Sequence, residues 1–207
     1  SVVTTDAILT SSNIPEDEYP AWVSGTSYTA LDKVIYEHKI YERIVTGAGT
    51  TTPDLDQINW LDDGYTNRYR MFDNIISSVS SRTGGIEFTL TPNQVINGIA
   101  LLNVNASTVR VVMNDSIEGV VYDRTKELRS SSNVTDYYSY FFAPLINLGD
   151  LDTAIFLDLP NKPTATITVY VSSGVGLVEV GEVVYGVQSI VGRTNYGTAI
   201  GITSYSR

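Results

Sequence analysis

Short runs in which apolar and polar residues alternate recur through most of the chain. In "TATITVYVSS", residues 164–173, Ile167, Val169 and Val171 alternate with two threonines and a tyrosine. A period of two residues is the pattern of a strand with one buried face, whereas an amphipathic helix repeats about every 3.6 residues. Because helical periodicity is nearly absent and Gly, Pro and Asn separate the runs, the sequence predicts an all-β fold.

The strand-like runs are concentrated after residue 65. They read "GGIEFTLTP", "GIALLNVN", "STVRVVMND", "GVVYDR", "DYYSYFFAPL", "ATITVYVSS", "GLVEVGEVVYG" and "GTAIGITSYS". Many short strands with turn residues between them are typical of a β-sandwich or a jelly roll. Hydrophobic residues make up 43% of the 207 residues, which is enough for a sizeable core. We therefore predict a β-sandwich or jelly-roll-like assembly domain over residues 65–207.

Two further regions precede this domain. Residues 1–18 contain Pro15 and the acidic run "EDE", with Pro20 just beyond them, and they predict an extended, solvated arm. Residues 19–64 predict a small β unit. Within it, inward and outward positions alternate along "KVIY" and along "IYERIV", and the turn "EHK" between these runs indicates a hairpin. The predicted organisation is an arm, a small N-terminal β module and a sandwich.

The composition excludes several classes of function. The net charge is −10, and no Lys/Arg cluster offers the basic patch that a nucleic-acid binder uses to neutralise phosphates. The chain has no cysteine, so it has no disulfides and no thiolate metal sites. The N-terminus lacks the pattern of a signal peptide, and no apolar run is long enough for a membrane helix. We expect no nucleic acid, no membrane insertion, no metal and no cofactor.

The residues for catalysis are also sparse. The only histidine, His38, falls in the predicted hairpin turn, where we expect it to be solvated rather than part of a triad. Two carboxylates across a cleft would suffice for a glycosidase, and "NLGDLD" at 147–152 could offer oxygen ligands to calcium. The candidate acids are Asp54, Asp56, Asp62, Asp63, Asp150 and Asp152. All of them fall in predicted turns, where Asp is favoured for local hydrogen bonds, and we expect no catalytic residue.

Aromatic residues are dense in the small β unit, which contains Trp22, Tyr28, Tyr36, Tyr41 and Trp60. Aromatic faces can stack on sugar rings, so these residues could form a binding surface. A unit of this size also needs several large side chains to make any core. The size of the unit favours the structural interpretation, and two coplanar, solvent-open rings would favour sugar binding.

The stretch "AWVSGTSYTALDKVIYEHKIYER" resembles small carbohydrate-binding modules of the chitin-binding type. The residues that match are Ala21, Trp22, Tyr28, Asp32, Val34, Tyr36 and Tyr41, with Pro53 and Trp60 at the closing end. Leu31 stands where the family has Gly, and "RIVTGAGTTTPD" lacks the family's exposed aromatic pair. The resemblance implies a fold for the unit and sugar contacts at Trp22, Tyr36, Tyr41 and Trp60.

From residue 19 onward, the chain resembles a class of tailed-bacteriophage virion proteins. The resemblance rests on "NWLDDGYTNRYRMFDN" at 59–74 and on "GVVYDRTKEL", "YYSYFFAPL" and "VGRTNYGTAIGITSYSR". It implies a non-enzymatic structural component of a tail, neck or baseplate, made in the host cytoplasm and then part of the virion. Its partners would be further copies in a ring and other tail or neck proteins. The sequence ends in "YSR" at Arg207, whereas similar sequences continue beyond this motif.

Within this resemblance, Asn67, Arg68 and Asp73 mark the joint between the two units, and we expect an ion pair between Arg68 and Asp73. Two other functions stay open. One is a carbohydrate-binding adhesin or accessory module that contacts a host-surface or cell-wall polysaccharide. The other, less favoured, is a glycosidase that uses two of the acids named above.

Overall fold

The computed structural model describes residues 8–129, 137–142 and 151–189. Strands dominate the described residues, with one 3-10 turn at Arg70–Phe72 and one short helix, α1, at Tyr137–Phe142. The strands are β1 (Leu9–Ser12), β2 (Ser27–Tyr28), β3 (Lys33–Tyr36), β4 (Lys39–Arg43), β5 (Gly47–Ala48), β6 (Trp60–Tyr65), β7 (Ser80–Thr83), β8 (Ile86–Leu90), β9 (Gly98–Asn105), β10 (Thr108–Asp115), β11 (Gly119–Glu127), β12 (Thr153–Phe156), β13 (Thr166–Ser172) and β14 (Leu177–Gly186). The predicted all-β fold class is confirmed.

Two antiparallel sheets form a β-sandwich in the second unit. The first sheet has the strand order β1-β8-β13-β10-β11, and the second has the order β12-β9-β14-β7. The alternation predicted for β13 is present, because Ile167, Val169 and Val171 are buried while the residues between them are partly exposed. One face of each sheet therefore turns inward, which confirms the predicted sandwich.

The inner faces of the two sheets share one core. Its fully or almost fully buried side chains include Phe88, Val111 and Val169 from the first sheet and Leu101, Phe156 and Val180 from the second. Phe72, from the 3-10 turn, packs edge-on against Phe88 with ring centroids 5.8 Å apart. Burial of this apolar area, at about 25 cal/mol per Å², is what holds two sheets together in a chain without disulfides.

The stretch that the sequence places in a solvated arm lies partly in the sandwich. Residues 9–12 form β1, which pairs antiparallel with β8, and Ile14 just after it is completely buried. Asn13 continues the pairing, since its side chain accepts a hydrogen bond from Glu87 N and donates one to Gly85 O. The reason is tertiary: β8 leaves a free edge, and β1 covers that edge with backbone hydrogen bonds.

One run that the sequence predicts as a strand is a helix instead. Within "DYYSYFFAPL", residues 137–142 form α1, in which Tyr137 packs on Phe141 and Tyr138 on Phe142, each four positions apart. Such pairs stabilise a helix, and they outweigh the preference of aromatic residues for strands. No helix in the described residues has the length and apolarity to span a membrane. The run "GTAIGITSYS" and the stretch 191–207 lie outside the described residues.

The small unit, residues 19–64, is built on a three-stranded antiparallel sheet in the order β3-β4-β6, with the short pair β2-β5 beside it. The predicted hairpin is β3-β4, and its turn residues Glu37 and His38 have φ values of 46° and 64°. Positive φ at both central positions is the signature of the tight turn that best matches the twist of a hairpin. Trp60 begins β6 and closes the unit, as the sequence predicts.

Leu31 adopts a backbone conformation that normally belongs to glycine. Its φ is 74°, and its N–H donates to Arg43 O at 2.7 Å, so the turn before β3 requires this conformation. This is the position where the chitin-binding modules that the unit resembles have Gly. The leucine side chain is 74% exposed and therefore recovers little packing energy in return. The left-handed conformation costs a residue with a Cβ about 1–2 kcal/mol.

We expect Leu31→Gly to raise the free energy of unfolding of the small unit by about 0.5–1 kcal/mol, because the relief of strain exceeds the added entropy of glycine. Both tryptophans of the chain, Trp22 and Trp60, lie in this unit, so urea unfolding followed by tryptophan fluorescence reports on it. Leu31→Ala is the matched control, since it removes the exposed side chain but keeps the Cβ. If Leu31→Gly and Leu31→Ala are equally stable, the backbone at Leu31 is not strained.

Candidate functional site

Two of the predicted sugar-binding residues lie inside the small unit. Tyr41 and Trp60 are 5% and 3% exposed, and they form its core with Val34. Arg43 is also buried and lies over the Trp60 ring at 4.9 Å, with its guanidinium donating to Val45 O and Gly47 O. Tyr41 and Trp60 therefore serve as the core that a unit of this size requires.

The other two predicted residues, Trp22 and Tyr36, are half-buried and reach solvent. Their ring centroids are 5.6 Å apart and their planes cross at 79°, so they meet edge to face. Tyr28 and Trp60 make a second edge-to-face pair at 5.2 Å. The four predicted residues therefore do not form a coplanar platform, and their proposed contact with sugar rests on Trp22 and Tyr36.

Asp54 introduces negative charge next to this aromatic pair. Its Oδ1 is buried and has no hydrogen-bond partner in the described structure. Burial and the charge of Glu37 raise the pKa of Tyr36, and Asp54 adds to that effect; burial likewise raises the pKa of Tyr41. Both tyrosines are therefore neutral hydroxyls at physiological pH, able to donate and accept hydrogen bonds.

A second cluster joins the small unit to the sandwich through Glu16. The Glu16 carboxylate accepts a hydrogen bond from the Thr66 hydroxyl at 2.6 Å and pairs with Arg68 at 3.3 Å. His38 Nδ1 lies 3.0 and 3.1 Å from its two oxygens. We call Glu16, His38, Thr66 and Arg68 the junction network. Its carboxylate side chain is only 14% exposed, so these partners are what compensate its desolvation.

His38 is not the solvated turn residue that the sequence predicts. Besides facing Glu16, its ring stacks on Tyr69 with centroids 4.0 Å apart, and its backbone oxygen accepts from Thr66 N. The β3-β4 turn points toward the sandwich, and the residues after β6 return beside it, which sequence spacing does not reveal.

The three predicted joint residues have different roles in the structure. Asn67 exchanges hydrogen bonds with Ser81 N and O, both at 2.8 Å, and so attaches the linker to β7. Arg68 also donates to Ile14 O at 2.7 Å. The expected ion pair between Arg68 and Asp73 is replaced by the pair with Glu16, while Asp73 accepts from Ile75 N and holds its own turn.

The candidate acids serve local structure. Asp62 pairs with Lys39 at 2.6 Å, Asp63 pairs with Lys33 at 2.5 Å, Asp56 accepts from Asn59, and Asp152 accepts from Thr153. The contact with Asp63 raises the pKa of Lys33. Asp150 and most of "NLGDLD" lie outside the described residues. Within the described ranges, no group of three or more His, Cys, Asp or Glu side chains is placed to hold a metal ion.

Sequence reasoning missed Glu16 and Arg43. Glu16 stands in an acidic run beside Asp17 and Glu18. Nothing local shows that Glu16 enters the junction network, or that Glu18 accepts a hydrogen bond from Asn67 N. Arg43 occupies an inward position of β4, where its burial depends on carbonyls offered by the loop that follows. The alternation of the hairpin was the only available signal, because it places Arg43 on the same face as Tyr41.

Comparisons with known proteins give structural neighbours only. No protein-family model and no curated protein matches the chain. The chain is similar to a fucose-binding module from Streptococcus pneumoniae, with a TM-score of 0.39 and 13% identity over 57% of this chain and 81% of that one. It is also similar to the lectin domain of Lectinolysin complexed with Lewis B antigen. That match has a TM-score of 0.38 and 11% identity, and it covers 58% of this chain and 83% of that one. An F5/8 type C domain from Bacteroides fragilis is similar with a TM-score of 0.37 and 11% identity, over 58% of this chain and 81% of that one.

These neighbours carry no functional argument at such TM-scores and identities. The assignment of a β-sandwich rests on the strand pairings of this chain itself. The resemblance to tailed-phage virion proteins gains no support from the comparisons, and it stays a prediction.

We expect Glu16→Gln to lower the free energy of unfolding of the small unit by about 1.5–3 kcal/mol, because hydrogen bonds to a charged acceptor have this magnitude. Tryptophan fluorescence during urea unfolding measures the loss, and hydrogen exchange in β3 and β4 locates it. Asp17→Asn removes the same charge from an exposed neighbour and should change stability by less than about 0.5 kcal/mol. Equal effects of the two variants would mean that the junction network contributes no stability.

Proposed function

We propose that this chain is a non-enzymatic subunit of a multi-copy assembly. The observation that carries the proposal is the surface of α1. Its side chains Tyr137, Tyr138, Phe141 and Phe142 are between 58% and 81% exposed. Monomeric proteins rarely expose aromatic residues in so dense a group, and patches of this kind mark surfaces that bind other proteins.

The net charge of the chain limits where copies can associate. With a net charge of −10, copies repel one another wherever acidic faces meet. The helix Tyr137–Phe142 contains no charged residue. An aromatic helix therefore offers a contact with less electrostatic cost than an acidic face, and its burial supplies the driving force.

The sequence resemblance described above suggests which assembly this is. It favours the tail, neck or baseplate of a tailed-phage particle, with further copies and other virion proteins as partners. Synthesis in the host cytoplasm followed by incorporation into the virion belongs to the same proposal. An acidic β-sandwich chain without cysteine suits this role, since it needs no oxidising compartment to fold.

We expect the purified chain to form an oligomer of defined mass at micromolar concentration, and Tyr138→Ser combined with Phe142→Ser to convert it to a monomer. Analytical ultracentrifugation measures both. Val175→Ser is the matched control, because Val175 is a 93% exposed apolar residue on a hairpin and should be neutral. Circular dichroism checks that each variant is folded. A wild-type chain that is strictly monomeric would overturn the proposal.

A second candidate function, glycan binding by the small unit, is favoured by one observation. Trp22 and Tyr36 are partly exposed, as Tyr28 is, and they touch each other. An indole and a phenol side by side offer apolar area together with a hydroxyl, which is the combination that sugar rings and their hydroxyls require. The resemblance to chitin-binding modules points to the same residues.

We expect chitin oligosaccharides to shift the tryptophan fluorescence of the chain if the small unit binds them, and Trp22→Ala to abolish binding measured by calorimetry. Tyr65→Ala is the control, since Tyr65 is a partly exposed aromatic residue on β6 outside the Trp22–Tyr36 pair. A glycan array tests other sugars in the same way. If no glycan binds the wild-type chain, the aromatic pair is structural.

A further inference from the structure

One side chain of the junction network changes its charge near neutral pH. His38 is the single histidine of the sequence, and the chain has no cysteine. An unperturbed imidazole takes up a proton at about pH 6.5, whereas carboxylates do so at about pH 4 and lysines at about pH 10. His38 is therefore the side chain on which a change of pH between about 5 and 8 acts most directly.

The His38 ring lies against both oxygens of the Glu16 carboxylate. Its Nδ1 is 3.0 Å from Oε1 and 3.1 Å from Oε2. An ionised carboxylate only accepts hydrogen bonds, so Nδ1 carries the hydrogen of this contact whether the ring is neutral or charged. A second proton, taken up at Nε2, leaves the hydrogen bond in place and adds a positive charge beside the negative one.

The two side chains are sheltered to different degrees. His38 is 31% exposed, which lets its ring exchange protons with water, while Glu16 is only 14% exposed. In such surroundings the effective dielectric constant is about 20 rather than about 80, so opposite charges attract more strongly than in bulk water. The charged form of His38 therefore gains more from Glu16 in the folded chain than in the unfolded chain.

The linker after β6 brings one opposing and one favourable neighbour. Arg68 shares the carboxylate, with a guanidinium nitrogen 3.3 Å from Oε2, and its positive charge opposes a second cation there. Tyr69 stacks on the His38 ring with centroids 4.0 Å apart, and an aromatic face attracts a cation. The contact with both oxygens of Glu16 and the stacking on Tyr69 favour the charged ring, and Arg68 moderates the effect.

The other charged neighbours in the described residues are mostly acidic. Glu37 precedes His38 in the β3-β4 turn, and residues 16–18 on the facing segment are all acidic. Lys39 follows His38 in the turn, but its charge is paired with Asp62 at 2.6 Å. These neighbours add to the preference for a positive ring.

We propose that protonation of His38 tightens the junction between the small unit and the sandwich, so that the small unit is held more firmly at about pH 5.5 than at about pH 8. His38 belongs to the β3-β4 turn of the small unit, whereas Glu16 follows β1, which pairs with β8 of the sandwich. The contact crosses from one unit to the other, so its charge alters the link between them. Thr66 and Arg68 keep their bonds to Glu16 in both forms, and the junction therefore loosens at higher pH without opening.

Proton linkage sets the direction of the effect. A proton that binds the folded chain more tightly than the unfolded chain stabilises the folded one. This contribution is fully present below about pH 6.5, and it is lost as the pH rises through the titration midpoint of the folded chain. The Trp22–Tyr36 pair lies on the small unit, so its position relative to the sandwich becomes less fixed over the same range.

NMR measures the titration directly, because the only histidine of the chain gives a single set of ring signals. We expect the midpoint for His38 to lie above about 6.5 in the wild-type chain, and Glu16→Gln to bring it back toward that value. Asp17→Asn is the matched control, since it removes the same charge from the next residue, which is exposed, and should move the midpoint less. A wild-type midpoint at or below about 6.5 would overturn the proposal.

Hydrogen exchange measures the consequence for the junction. Thr66 N donates to His38 O at 2.9 Å, so exchange of this amide reports on opening. After correction for the intrinsic rate, we expect its protection to be several-fold greater at about pH 5.5 than at about pH 8, while that of Val169 in the sandwich core stays the same. His38→Asn, which tolerates the positive φ of the turn, should abolish the difference at Thr66. Equal protection of Thr66 at both pH values, or an unchanged difference in His38→Asn, would mean that His38 is no switch.

Discussion

The contact between the two inner sheet faces is the interaction on which the rest of the molecule depends. Because the chain has no cysteine, no disulfide joins the sheets, and the shared core that includes Phe88, Leu101 and Val180 is the main contact between them. A core of this kind is close-packed, so it positions every strand that leaves it. The edge strand β1 and the attachment of the small unit are both placed by that packing.

The small unit meets the sandwich around one largely buried carboxylate, that of Glu16. β1 pairs along the sandwich and then carries Glu16 to the β3-β4 turn, where His38, Thr66 and Arg68 meet it. A charge with this little exposure is tolerated only where several partners satisfy it, so the orientation that brings them together is favoured over others. The N-terminal segment therefore connects the two units.

The surface divides into regions with different chemistry. The outer face of the first sheet is polar, while the second sheet leaves Ala100, Ile155 and Val184 outward, and α1 displays four aromatic rings. Like charges on an acidic chain keep its copies apart, so we propose the neutral apolar areas as the contacts of an assembly. The half-exposed pair Trp22 and Tyr36 is a separate, smaller surface on the small unit.

Sequence by itself determined the features that are local. Alternation predicted β13 and the β3-β4 hairpin, and a turn position that the chitin-binding resemblance assigns to Gly proved to have positive φ at Leu31. Only the tertiary structure decided that residues 9–12 complete a sheet, that Arg68 pairs with Glu16, and that Tyr41 and Trp60 turn inward while Trp22 and Tyr36 reach solvent. The helix at residues 137–142 is a different case, because the ring contacts that favour it are four positions apart in the sequence. The reason is physical: a period of two is set by neighbours along the chain, whereas burial, edge pairing and charge partners depend on residues that are distant in sequence and meet only after the sheets have packed.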